Sequence, residues 1–212
     1  MNNDAAPLAL ISCSKKKLSG GDLEYHPSMK LQENLSPATY RKLMSLRREL
    51  ALAFRYEPGL DLGFQEHTNN VRYMSAYLRY AGILYKEGSV TELYPQKRRF
   101  HLLIVSALYG IVDASDLIRD YDLHMKCKLP WGRQIKTWWK NNKLGNIVEE
   151  YISSVNPSKT DDLLFGDYRH ALKPWPPTSL ENQVLRPGTP EPRFAEIYRQ
   201  GRILKALLLR CS

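Results

Sequence analysis

Apolar runs of about five residues alternate along this chain with longer stretches of helical period. Leu8-Ala-Leu-Ile-Ser12 reads as a short buried strand, and His101 to Ser106 as a central one. Asp161 to Phe165 reads as a third, leading into Gly166-Asp-Tyr-Arg169. Ser36-Pro37 supplies an N-cap with proline at the first helical position, opening a helix to about Tyr56 that ends at Pro58-Gly59. Its inner face is Leu43, Leu46, Leu50 and Phe54. Tyr73, Tyr77, Tyr80 and Leu84 predict a second helix over Asn70 to Lys86. A long helical stretch is predicted from Trp131 to Ser153, interrupted or kinked near Gly145. The last helix runs from Arg193 to Leu209, with Phe194, Ile197, Ile203 or Leu204, and Leu207 or Leu208 inward.

Six prolines fall within residues 173–192. That segment is expected to be an ordered extended loop, because Trp175, Leu180, Val184 and Leu185 still need burial. Strands alternating with helices give an α/β class. The expectation is one compact domain over residues 1–212, a central mixed sheet flanked by helices, with a basic cleft. No internal repeat is evident.

Composition narrows the partners. At 212 residues with 43% hydrophobic and 10% aromatic content, the chain can bury a full core. The net charge of +9 favours polyanions. No apolar run reaches the roughly 18 residues of a membrane span, and Met1 to Ser12 lacks a basic region ahead of an apolar core. Cys13, Cys127 and Cys211 build no disulfide framework, so a reducing, cytoplasmic setting is expected. His26, His67, His101, His124 and His170 are scattered without metal-ligand spacing. Neither metal nor cofactor is expected, and the protein is read as a monomer.

The chemistry concentrates after the central strand. Ser106 breaks the apolar run and is followed by Tyr109-Gly110, by Asp113, Asp116, Asp120 and Asp122, and by Tyr121. Polar groups beyond the carboxyl ends of strands are site candidates in open α/β sheets. A carboxylate there can stabilise an oxocarbenium-like sugar or activate water. Equally, these acids can cap turns or pair with Arg119. Residues 123–148 contain no acid but hold Lys126, Lys128, Arg133, Lys136, Lys140 and Lys143. Lys136, Lys140 and Lys143 share one helical face and can follow a phosphate backbone. Lys97-Arg98-Arg99 and Arg47-Arg48 can extend that surface. Trp131, Trp138 and Trp139 are candidate base-stacking platforms. Adjacent Trp138 and Trp139 cannot share a face, so at least one belongs to the core. Ser12-Cys-Ser-Lys-Lys-Lys17 after the first strand is either a phosphate cradle or a solvated basic turn. Cys13 is either a nucleophile or packed, and His124 and His170 remain open as general acids.

Several blocks taken in order resemble the YaaA-like superfamily. They are Ile11-Ser-Cys-Ser-Lys-Lys-Lys17, Tyr80-Ala-Gly-Ile-Leu-Tyr85, Ser106-Ala-Leu-Tyr-Gly110, Asp116-Leu-Ile118 and Tyr121. Met125-Lys-Cys-Lys128, the Trp138-Trp139 helix, Gly166-Asp-Tyr168 and Arg199-Gln-Gly-Arg202 continue the likeness. The resemblance implies a compact α/β fold with a positively charged cleft, and DNA binding linked to protection from oxidative damage. Related short proteins occur in nucleic-acid modification and phage defence. This chain departs from the peroxide-stress branch with Cys13-Ser-Lys in place of Pro-Ala-Lys. It also carries Asp120 and Asp122 in place of proline and arginine, and an atypical segment over 40–70.

The combined expectation is a DNA-binding protein acting as a base-excision N-glycosylase on damaged or modified DNA, in repair or phage defence. Asp116 and Asp122 are the catalytic candidates. Ser12, Cys13, Lys15, Lys17, Ser106, Tyr109, Tyr121, Lys128 and Tyr168 are expected to hold substrate, with Tyr109 or Tyr121 stacked on an extruded base. Lys126, Arg133, Lys136, Lys140 and Lys143 are assigned to the DNA backbone. The alternatives are a non-enzymatic binder of distorted or single-stranded DNA, and a nucleotide N-glycosidase.

Overall fold

The computed structural model describes residues 5–22, 24–66, 70–97, 99–177, 180, 184–185 and 193–210. His67, Arg98, Cys211, much of the Pro-rich loop and the side chains of Leu185 and Phe194 lie outside that description. In chain order the elements are β1 (Leu8–Ser12), α1 (Met29–Asn34), α2 (Pro37–Ala53), β2 (Tyr73–Ser75), α3 (Ala76–Arg79), α4 (Ile83–Glu87) and α5 (Val90–Leu93). Then follow β3 (His101–Ser106), β4 (Gly110–Asp113), β5 (Leu117–Arg119), α6 (Ile135–Asn141), α7 (Leu144–Val155), β6 (Thr160–Leu163), α8 (Gly166–Leu172), β7 (Val184–Leu185) and α9 (Arg193–Arg210).

The main sheet has the order β4-β3-β1-β6-β7, and β2 pairs with β5 in a separate ribbon. β1 lies parallel to β3 on one side and to β6 on the other, with Ser12 opposite Val105 and Ile11 opposite Leu163. Among the described strands of this sheet only β4, returning from β3, runs antiparallel. β1 is buried at all five positions, as a strand covered on both faces must be. The sheet is therefore mixed and helix-flanked, as the alternating pattern implied. No helix among the described residues is long and apolar enough to cross a membrane.

The connection from β1 leads to β3, while that from β6 leads to β7 on the opposite side. Adjacent strands whose connections diverge leave a crevice beyond their carboxyl ends. In this sheet it opens between Ser12 and Leu163.

The α2 boundaries follow the capping signal. Ser36 accepts from Thr39 N, and Glu150 anchors the same turn by accepting from Ser36 N at 2.5 Å and from the Thr39 hydroxyl at 2.6 Å. The predicted helix over 70–86 does not form as one element. Tyr73 pairs with Arg119 in the β2–β5 ribbon, and Gly82 starts a new helix. The tyrosine spacing was helical, but the Tyr73 and Tyr80 hydroxyls found different remote partners and the Tyr77 ring packs on Tyr94. Tyr73 donates to Asp61, while Tyr80 bonds Tyr121.

The 131–153 stretch likewise divides into α6 and α7. The break falls near Gly145 as expected, two residues earlier at Lys143, which lies in the left-handed region at φ 62°. Gly145 itself allows α7 to approach the Leu172 carbonyl, where a Cβ would collide. Because Lys143 sits in the break, it does not continue one helical face with Lys136 and Lys140. Trp138 and Trp139 are both buried, with Trp139 Nε1 donating to Ala107 O at 2.8 Å. The expected stacking platforms are therefore core, leaving Trp131 as the exposed member. Further along, the third strand starts one residue early, at Thr160, and ends at Leu163. In the Pro-rich segment, Trp175, Leu180 and Val184 are buried as expected, with Trp175 Nε1 donating to Asp162 at 3.3 Å.

Candidate functional site

A cavity of about 330 Å³ occupies the crevice. Its floor is Ser12, Cys13, Ser14 and Lys15 leaving β1, and one wall is Phe165, Asp167 and Tyr168 leaving β6. Gly82 to Tyr85 form the wall at the start of α4, His124 to Lys126 form another, and Ile197 of α9 closes the rim. A Cβ at Gly82 would press on the Ser14 side chain, whose hydroxyl would have to turn away.

An ion-paired carboxylate and a thiol–phenol contact mark the cavity. Asp167 accepts from Lys136 Nζ at 2.6 Å and lies 3.7 Å from Lys126 Nζ, so its carboxylate is bracketed by two ammonium groups. Across from it, Cys13 Sγ lies 3.3 Å from the Tyr168 hydroxyl. His124 Nδ1 accepts from Lys126 N at 3.3 Å, which orients the ring at the rim. His170 is pushed below its ordinary value by burial and by Lys136, Lys173 and Lys140. At neutral pH it is thereby a poorer proton donor than an unperturbed histidine.

Behind the floor runs a buried hydroxyl chain. Tyr121 OH lies 2.8 Å from Ser106 Oγ and 2.7 Å from Tyr80 OH, and Tyr85 OH donates to the Ser12 carbonyl at 3.1 Å. Burial drives all three phenols well above their ordinary pKa, so they act as neutral hydrogen-bonding groups. Lys17 Nζ stands over the Tyr121 ring at 3.9 Å and is 5.9 Å from the Tyr80 ring centre. That nitrogen is buried without a hydrogen-bond partner. Burial pushes its pKa down, against the opposing pull of Cys13, Asp120 and Asp122.

A buried cation without a hydrogen-bond partner costs stability. Lys17→Met is accordingly expected to stabilise the fold at pH 7 by about 1–3 kcal/mol, raising Tm by roughly 2–12 °C. The penalty is present while the folded-state amine is charged and is relieved as pH rises through its lowered pKa. Thermal unfolding at pH 7 and pH 10 checks this: the gain should shrink at pH 10, and a loss of stability at pH 7 would contradict it.

Of the residues expected from sequence, Ser12, Cys13, Lys15, Lys126 and Tyr168 line the cavity. Ser106, Tyr121 and Lys17 form the network behind it. Lys128, Arg133 and Lys143 are exposed elsewhere, and Lys140 is half-buried on α6. Tyr109 is buried with its hydroxyl on Asp61 at 2.6 Å, so neither it nor Tyr121 presents a ring face to a base. Asp122 is exposed two residues before His124. Asp116 is buried towards the opposite edge of the sheet, accepting from Asp113 N at 2.8 Å. Sequence reasoning passed over Asp167, Phe165, Met125 and the Gly82–Tyr85 wall as site residues. A local signal existed for Asp167: Gly-Asp-Tyr closely follows the third strand, as Cys13-Ser14-Lys15 follows β1.

Fold and cavity together define an α/β protein with a switch-point pocket of mixed polar and aromatic lining. The family profile described as peroxide stress protein YaaA matches residues 8–203. The chain belongs to that family. It is 27% identical to a UPF0246 protein of Alteromonas mediterranea over 164 residues, 75% of this chain and 61% of the relative. Similar proteins include a UPF0246 protein of Dinoroseobacter shibae, 33% identical over 50% of this chain and 40% of the relative. Another, from Corynebacterium efficiens, is 35% identical over 55% of this chain and 46% of the relative. The matches thus span about half the length of these curated relatives.

Proposed function

We propose that this protein binds DNA and excises a damaged or modified base by N-glycosidic hydrolysis in the β1–β6 crevice. The observation that carries the reading is the cavity itself: it is sized for a small ligand, and it pairs aromatic walls with an ion-paired carboxylate. In this account an extruded nucleotide enters the crevice with its base against Phe165 and Tyr168. Lys15 and Lys126 hold the flanking phosphates by charge. Asp167 stabilises positive charge developing on the sugar and orients the attacking water. Asp122, at the exposed approach to His124, is the second acid, and Lys128 and Arg133 extend the backbone contact. Asp116 retains a place only if substrate binding uncovers the opposite edge of the sheet.

The reading is tested by incubating the protein with duplexes bearing oxidised or alkylated bases and identifying released bases by mass spectrometry. Wild type is expected to release one class of base. Asp167→Asn should slow release about 100-fold or more while retaining DNA in a salt-dependent manner. DNA retention without release from any substrate would leave a binding protein and remove the enzymatic reading.

A further inference from the structure

We infer that Lys17 is an amine nucleophile for an aldehyde carbon, its substrate class being the ring-opened deoxyribose that remains once a base is lost. This deepens the excision reading and rests on it. An ammonium offers three donors, yet Lys17 Nζ is buried without a hydrogen-bond partner and meets the Tyr121 ring face at 3.9 Å. A ring face contributes about 0.5–2 kcal/mol, whereas removing an ammonium from water costs several. Packing alone would be better served by an apolar side chain of similar length.

The backbone nevertheless holds the residue firmly. Ala81 N donates to Lys16 O at 3.0 Å and Leu18 N to Arg79 O at 2.9 Å, zipping Lys17 beside Tyr80. This strip joins the cavity floor at Lys15 to the cavity wall at Gly82. The residue is only half-buried while its tip is covered, so rotation about the stem's single bonds can uncover the amine. Desolvation favours the neutral amine, which is the nucleophilic form. Beside it runs the Ser106–Tyr121–Tyr80 hydroxyl chain.

The step balances without a further reagent. The neutral amine adds to C1′ of the aldehyde, forming a C–N bond, and the carbonyl oxygen takes up a proton. A second proton, from solvent, lets the resulting hydroxyl depart as water, leaving an iminium. Water then takes a C2′ proton, and that C–H electron pair forms a C2′=C3′ double bond as the C3′–O bond breaks, releasing the 3′ phosphate as leaving group. Hydrolysis returns the free lysine.

The test uses a duplex with one preformed abasic site, so that base excision is not required, together with borohydride to reduce the iminium. Wild type and Lys16→Met are expected to give a stable protein–DNA adduct mapped to Lys17 by peptide mass spectrometry, and Lys17→Met to give none. Absence of an adduct while the protein retains abasic DNA overturns the inference, as does an adduct mapped to another amine or persisting in Lys17→Met. Base release measured in parallel keeps the two readings apart. Release without an adduct removes only the lysine chemistry, and an adduct without release from any modified duplex removes only excision.

Discussion

Asp61→Asn is expected to lower Tm by about 6–20 °C, the largest loss foreseen for a single substitution outside the cavity. Asp61 is wholly buried, and its carboxylate is saturated by donors. Arg119 Nε reaches it at 2.9 Å and Nη2 at 2.5 Å, with the Tyr109 hydroxyl at 2.6 Å and the Tyr73 hydroxyl at 3.2 Å. Burial alone would depress the Arg119 pKa, but these bonds and the Asp61 charge hold it above its ordinary value. Removing one partner of a buried ion pair strands the other, at about 3–5 kcal/mol. For a chain of this length each kcal/mol moves Tm by roughly 2–4 °C. Thermal unfolding of Asp61→Asn, Arg119→Met and the double variant measures the effect. The double variant should lose much less than the sum of the singles, and a single-variant loss below about 2 °C would contradict the account.

Asp116→Asn should act in the opposite direction, and only above acidic pH. Burial, then the neighbouring Asp113 charge, push Asp116 up to about 7, against hydrogen bonds from Ser28 and the Asp113 amide and the Arg47 charge. Because the folded-state value exceeds the unfolded one, the folded chain holds a proton that the unfolded chain releases. Stability therefore falls as pH rises from about 4 to about 7 and is level above that. The gap between 3.8 and about 7 corresponds to about 4 kcal/mol at most. Asp116→Asn removes the buried charge while keeping an oxygen for the Asp113 amide. A gain of about 2–4 kcal/mol, or roughly 4–16 °C in Tm, is expected at pH 8 and should vanish near pH 4. An equal effect at both pH values would sink this explanation. Base release by the same variant also tests the catalytic role expected for Asp116 from sequence, which loss of activity would support.

The parts of the fold readable in sequence are those whose determinants are local. β1 and β3 are continuous apolar runs, which parallel strands covered on both faces require. The start of α2 is written in Ser36-Pro37. The Tyr73–Leu84 stretch misled because a spacing of three and four can arise from hydroxyls serving distant partners. Asp61 lies 12 residues from Tyr73, and Tyr121 lies 41 from Tyr80. The same distinction divides the site. Ser12, Cys13 and Lys15 stand directly after a recognisable strand and reach the cavity. Asp116 and Tyr109 share an informative-looking segment, but the β3–β4 turn carries Tyr109 to the buried Asp61–Arg119 pair and the β4–β5 turn carries Asp116 back onto the Asp113 amide. Asp167 gains its setting from Lys126 and Lys136, 41 and 31 residues away, a pairing no local pattern discloses.

The central claim is that the crevice between β1 and β6 receives a single nucleotide from DNA. Its most direct test is a crystal structure of Asp167→Asn bound to a duplex carrying a modified base on a 2′-fluorinated sugar that resists hydrolysis. The account predicts an extruded base among Cys13, Phe165 and Tyr168, with flanking phosphates against Lys15 and Lys126. DNA bound on another face, with every base still stacked and the crevice empty, would contradict it.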